Sequence, residues 1–177
     1  MVSVLCRLSV ALTLALTAGS METRALARLD AVPDFSGHWK FDAAKSTTLT
    51  REAQGRVAAI VFGDECVITQ TAGALTLDIT AGAAKIRAVY RLDGKPSENR
   101  SPGPPGQPDV PIVSTTRWVG ETLQITTKSE TDLGAGKVPV ESLRTLWITS
   151  GGDLAVERRG TPAQVVSDAW AVYQRVK

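Results

Sequence analysis

From Glu65 onward, apolar and polar residues alternate in short runs rich in Val, Ile, Thr and Leu, separated by glycine-bearing turns. A period of two places successive side chains on opposite faces of an extended strand, so each run can bury one face and wet the other. Eight runs read this way: roughly Glu65 to Thr71, Leu75 to Thr80, Lys85 to Leu92, Ile112 to Val119, Thr122 to Ser129, Val140 to Thr149, Leu154 to Arg159 and Trp170 to Val176. An opening strand, Ser36 to Asp42, makes nine. Between them, Ala72-Gly73, Asp93-Gly94, Gly120-Glu121 and Gly151-Gly152 accept the positive φ of tight hairpins, so sequence neighbours pair antiparallel. A meander of this length exposes two edges, and closure into a barrel removes them. A β-sandwich is the competitor, but its Greek-key crossovers need several long connections where this chain has one or two. The expectation is an all-β, antiparallel up-and-down barrel of about eight to ten strands.

Three stretches depart from that period. Arg51 to Phe62 could set Val57, Ile60 and Val61 on one helical face, although Gly55 weakens a helix, so at most one short helix is expected near the N-terminus. Ser101 to Pro111, SPGPPGQPDVP, is too rich in proline to join a ladder and reads as a surface loop, either a plain linker or a recognition arm. Thr131 to Pro139 is a second, shorter interruption. Asn99-Arg100-Ser101 matches a glycosylation sequon.

The first 27 residues differ in kind: Arg7 is followed by an apolar run from Leu8 to Ala18, and Ala25-Leu26-Ala27 offers a small-residue cleavage site. We read 1–27 as a signal peptide and 28–177 as one barrel domain, exported to the periplasm or the extracellular space. That apolar run falls short of the ~20 residues that span a bilayer, so no membrane insertion is expected after cleavage. Cleavage also removes Cys6 and leaves Cys66, which alternates with Ile68 and Gln70 and reads as a buried small hydrophobe. Basic and acidic residues, 20 and 18, are spread along the chain without the dense Lys/Arg tract of a nucleic-acid footprint.

On the opening strand Phe35, Gly37, Trp39 and Phe41 share one face while Ser36, His38, Lys40 and Asp42 share the other, which assigns Trp39 to the core. Gly37 lets a neighbouring backbone or ring come close. This G-x-W on the first strand of a small exported barrel resembles the lipocalin and wider calycin pattern. The resemblance implies that Trp39 plugs the closed end of the barrel and that a basic residue of the last strand, matched here to Arg175, lies across its ring. Lys45-Ser46 and the segments FGDECVITQ, YRLDGK, RWVGETLQITTK and LAVERRG are similar to those of bacterial exported lipocalin-like proteins, over about residues 35 to 176. The second and third signatures of vertebrate lipocalins are not seen, so their ligands do not transfer; the bacterial group implies a fold and no reaction.

Catalytic chemistry finds little support. One histidine, His38, on the polar side of its strand, and one cysteine after cleavage leave too few ligands for the usual zinc sites, and any Ser-His-Asp triad would have to use His38. Glu141 and Glu157 could form a carboxylate pair, but cross-strand pairing with Arg144 or Arg158 explains them more simply. No catalytic residue, metal or cofactor is expected. Binding is better supported, because a barrel of this size can enclose a small molecule. Tyr90, Trp118 and Trp147 are the candidate ligand-binding residues. Strand parity sends Arg91 and Arg117 outward wherever Tyr90 and Trp118 point inward. The leading expectation is a small apolar or amphipathic ligand; the alternatives are a protein-binding module, such as a protease inhibitor using the Ser101 to Pro111 loop, and a filled barrel with no ligand.

Overall fold

A computed structural model of the protein describes residues 32–48, 61–101, 109–132, 136–163, 165–166 and 168–177. The signal-peptide reading of 1–27 lies outside them, as does the helical reading of Arg51 to Phe62 except for Val61 and Phe62, which form a turn. In chain order the strands are β1 (Gly37–Phe41), β2 (Thr47–Thr48), β3 (Glu65–Gln70), β4 (Ala74–Ala81), β5 (Ala84–Arg91), β6 (Ser97–Ser101), β7 (Val110–Val119), β8 (Thr122–Asp132), β9 (Lys137–Ile148), β10 (Leu154–Thr161) and β11 (Ala169–Arg175). Every pairing is antiparallel, and the order around the sheet is β5-β4-β3-β1-β11-β10-β9-β8-β7-β6, with β2 beside β11. The fold is therefore all-β, an up-and-down barrel of ten strands that is nearly closed, with no helix among the described residues.

The front of the described chain meets its tail: Trp39 pairs with Arg175 and Phe41 with Tyr173 across β1 and β11. After β1 the chain kinks through Asp42 to Ser46. The Asp42 carboxylate accepts from the Ala44 and Lys45 amides, while the Ser46 hydroxyl donates to the Asp42 carbonyl at 2.6 Å and accepts the Val172 amide at 2.9 Å. Lys45 reaches across to Asp153 at 2.7 Å. The Lys-Ser pair thus holds the kink against β11, so that β1 and β2 can both border that strand.

Two strands were not foreseen. β2 is only two residues long, and β6, Ser-Glu-Asn-Arg-Ser, has no apolar alternation because it forms one lip of the barrel. The proline-rich stretch also contributes more to the sheet than expected. Ser101 pairs with Val110 and Arg100 with Pro111, which corrects the reading of the whole of 101–111 as loop; residues 102–108 lie outside the described set. Pro111 is tolerated because it sits at the start of β7, where a proline without an N–H does least harm to a ladder.

Side chains rather than a ladder join the two lips, β5 and β6. The Asn99 amide acts like a strand backbone, accepting the Val89 N–H at 2.8 Å and donating to the Val89 carbonyl at 3.0 Å. Ser97 accepts the Arg91 N–H at 2.7 Å, and the Thr116 hydroxyl donates to the Arg91 carbonyl. An edge strand left bare would invite pairing with other chains; here polar residues of β6 and β7 satisfy it. Both ends of the Asn99 amide serve this seam.

The two barrel ends differ. At one, short turns at 71–73, 92–96, 120–121 and 149–153 join the strands, and Phe35, Trp39, Leu75, Leu123, Leu146, Leu154 and Tyr173 are fully buried behind them. At the other end the described strands are separated by longer stretches of sequence, from Thr48 to Glu65, Ser101 to Val110 and Thr161 to Ala169, and β4 turns into β5 at 82–83.

Candidate functional site

At the short-turn end, Phe35 and the strand β1 place Trp39 across the barrel floor, with none of the residue exposed. Its indole N–H donates to the Phe35 carbonyl at 2.9 Å, which satisfies the ring's polar atom inside the core. The Arg175 guanidinium carbon lies 4.5 Å from the ring centroid, and its Nη1 donates to the Ser36 carbonyl at 2.8 Å. Gly37 makes room: at φ 149° it has no side chain, and a Cβ there would stand 2.7 Å from Arg175 Nη1. Trp118 belongs to this end too, stacked on Phe35 with centroids 5.9 Å apart and planes 3° from parallel.

Toward the long-loop end the interior is not filled. A cavity of about 180 Å³ is walled by Val61, Phe62, Ile79, Ile86, Ala88 and Ile112, with Tyr90, Asn99, Arg100, Arg144 and Arg158 as its polar groups; of these, Arg100 is exposed and the Asn99 amide is already bonded to the Val89 backbone. The Val61-Phe62 turn hangs over it because the Phe62 amide donates to the buried Tyr173 hydroxyl at 2.8 Å. Burial pushes the Tyr173 phenol well above its ordinary range, so that group stays a neutral hydrogen-bonding post. Two larger hollows, of about 370 and 410 Å³, lie elsewhere: one beside Val32, Asp34, Leu92 and Trp118 at the floor, the other at the seam beside Arg87, Glu98 and Pro111. Both are lined largely by exposed residues, so the smaller interior cavity is the better candidate.

Of the three aromatic candidates, only Tyr90 lines this cavity; it is 3% exposed and its hydroxyl accepts from Arg144 Nη1 at 3.4 Å. Trp118 faces inward but at the floor. Trp147 points the other way, on the outer wall, in an edge contact with Trp170 at 4.9 Å. Arg91 and Arg117 are exposed, opposite Tyr90 and Trp118, and pair with Asp93 and Gln124.

Arg144 breaks the expected pattern. It shares the inner face of β9 with Val140 and Leu146, and its Cα partner across β10 is Arg158, which follows Val156 on the same inner face. The carboxylates expected to pair with them face outward: Glu141 sits 3.6 Å from Lys128 and Glu157 2.8 Å from Arg159. The proposed Glu–Arg pairing is therefore replaced by two arginines inside and two carboxylates outside, because residues two apart share a face and these are an odd number apart.

His38 is half-exposed, 3.3 Å from Glu65. Among the described residues no group of three or more His, Cys, Asp or Glu is placed to hold a metal ion. Cys66 is buried, and desolvation pushes its thiol up to about 12. An unfolded thiol ionises near pH 8.5 to 9 while the folded one stays protonated, so the folded state holds the extra proton and stability falls as pH rises through that window. Urea midpoints measured between pH 8 and 10 are expected to drop, by up to about 1.4 kcal/mol per pH unit from this group. Cys66→Ala should flatten that slope even though it lowers stability at pH 8; an unchanged slope would place the effect elsewhere.

No protein-family model matches this chain, and no curated protein matches it.

Proposed function

We propose that this protein is an exported, lipocalin-like barrel that holds a small apolar or amphipathic molecule inside it. The observation that carries the reading is the asymmetry of the interior, packed solid around Trp39 and hollow beside Tyr90, Ile86 and Ala88. Proteins pack their interiors to crystal-like density, so a hollow with apolar walls at the end bearing the longer connections is a place for a guest. At about 180 Å³ the hollow is below the roughly 300–1,000 Å³ of drug-sized sites, which favours a small guest or one enclosed only in part.

Titration of the purified protein with the neutral dye N-phenyl-1-naphthylamine tests this. A saturable rise in dye fluorescence is expected, and Ala88→Phe, which fills the hollow from β5, should weaken it at least about tenfold while costing about 1–3 kcal/mol of stability. Dye that stays dark with the unaltered protein would mean a filled barrel.

A further inference from the structure

We infer that the guest in this cavity is an anionic amphiphile whose carboxylate or sulfate head group docks on Arg144 and Arg158. The inference rests on the ligand-binding reading above and adds to it the charge and the orientation of the guest.

Arg144 and Arg158 are direct cross-strand partners on the inner face of β9 and β10, and both line the hollow. Like charges directly opposite each other in a ladder repel, and a guanidinium drawn out of water is costly without an acceptor. The Nε of Arg144 is buried and has no hydrogen-bond partner, and its Nη1 makes only a long bond, 3.4 Å, to Tyr90. Among the described residues, no Asp or Glu lines the cavity, and Glu141 and Glu157 are engaged on the outside; Asp168, which is not part of the lining, acts electrostatically on Arg158. The unsatisfied donor is thus that of Arg144, held inside the barrel directly across from a second guanidinium.

An oxyanion answers each of these features. Guanidinium forks suit carboxylate and sulfate oxygens, and an anion between two of them turns repulsion into attraction. The Tyr90 hydroxyl, accepting from Arg144, still has its own proton to donate to the same head group. Ile79, Ile86, Ala88 and Ile112 then form the apolar wall along which a hydrocarbon tail lies. Burial, and then the nearby Arg144 charge, pull the Arg158 pKa below its ordinary value, a penalty that a bound anion would reverse.

Calorimetric titration with octanoate, octanol and octylammonium, which share one tail, separates charge from greasiness. Octanoate should bind about ten- to a hundredfold more tightly than octanol, and octylammonium more weakly than either. In the double variant Arg144→Met/Arg158→Met that preference should vanish while octanol binding remains, since buried charges often yield to apolar residues of similar size without loss of the fold. Should that variant not fold, Tyr90→Phe must weaken octanoate but not octanol. Equal binding of octanoate and octanol overturns the anion site and leaves the cavity standing; binding of neither overturns both. A preference that survives the double variant moves the charge away from these two arginines and overturns the assignment.

Discussion

Trp39→Ala is expected to remove about 3–5 kcal/mol of stability, read as a fall in the urea midpoint. Three separate losses make up that figure. The indole is fully buried, so its removal leaves a void that a closed ring of strands cannot readily collapse around. The Phe35 carbonyl loses the indole N–H that it accepts at 2.9 Å, and an unsatisfied buried acceptor costs about 1–3 kcal/mol. Arg175 loses the ring beneath it, a contact worth about 0.5–2 kcal/mol. Trp39→Phe keeps a ring but not the N–H, and should fall between the wild type and the alanine variant. Pairing Trp39→Ala with Arg175→Met in a double-mutant cycle isolates the third loss, and a coupling below about 0.5 kcal/mol would show that the guanidinium merely lies nearby. A loss below about 1 kcal/mol in Trp39→Ala itself would deny the residue its role as the floor of the barrel.

The floor was readable in advance because nothing in β1 conflicts with its alternation. Phe35, Gly37, Trp39 and Phe41 fall on one side, and turn chemistry forces neighbours to run antiparallel, so an N-terminal strand in a closed meander must border the last strand. The same parity rule correctly sends Arg91 and Arg117 outward opposite Tyr90 and Trp118. It gave no clear answer on β9, where Leu143 and Trp147 stand on one face and Val140, Leu146 and Ile148 on the other. With apolar residues on both faces, the face of Arg144 could not be chosen from that strand alone. The register does choose it, since Leu146 pairs with both Leu123 and Val156, two fully buried core residues. Trp147 is then on the outer wall, alongside Ala155, which is buried there although it points away from the core side. β10 carried the better signal, because Leu154 and Val156 lead directly to Arg158 at the same parity. β6 was illegible for a different reason: its side chains build the seam through hydrogen bonds to β5, and hydrophobic periodicity does not report that work.

The corner that roofs the cavity depends on one glycine, and Gly63→Ala is expected to cost about 2–5 kcal/mol. Gly63 is buried with φ 70°, a left-handed conformation that charges an alanine about 1–2 kcal/mol. A Cβ there would also collide with the Thr80 carbonyl oxygen and stand 2.8 Å from Ile79 Cγ2. The carbonyl cannot step aside cheaply, because it accepts the Asp64 amide at 2.8 Å, and Asp64 in turn holds the Phe41 amide through its carbonyl and the Gly82 amide through its carboxylate. Relief must therefore come from the turn itself, which would carry Phe62 off the Tyr173 hydroxyl and Val61 away from the cavity wall. Gly82→Ala supplies the control: its φ of 57° is just as left-handed, but no atom lies within 4 Å of the added Cβ, so it should lose only the conformational part, about 1–2 kcal/mol. Binding of the neutral dye should weaken in Gly63→Ala and stay unchanged in Gly82→Ala. Equal destabilisation at the two positions would mean that Gly63 is needed for its backbone angle alone, and that the close approach of this turn to β4 does not shape the cavity.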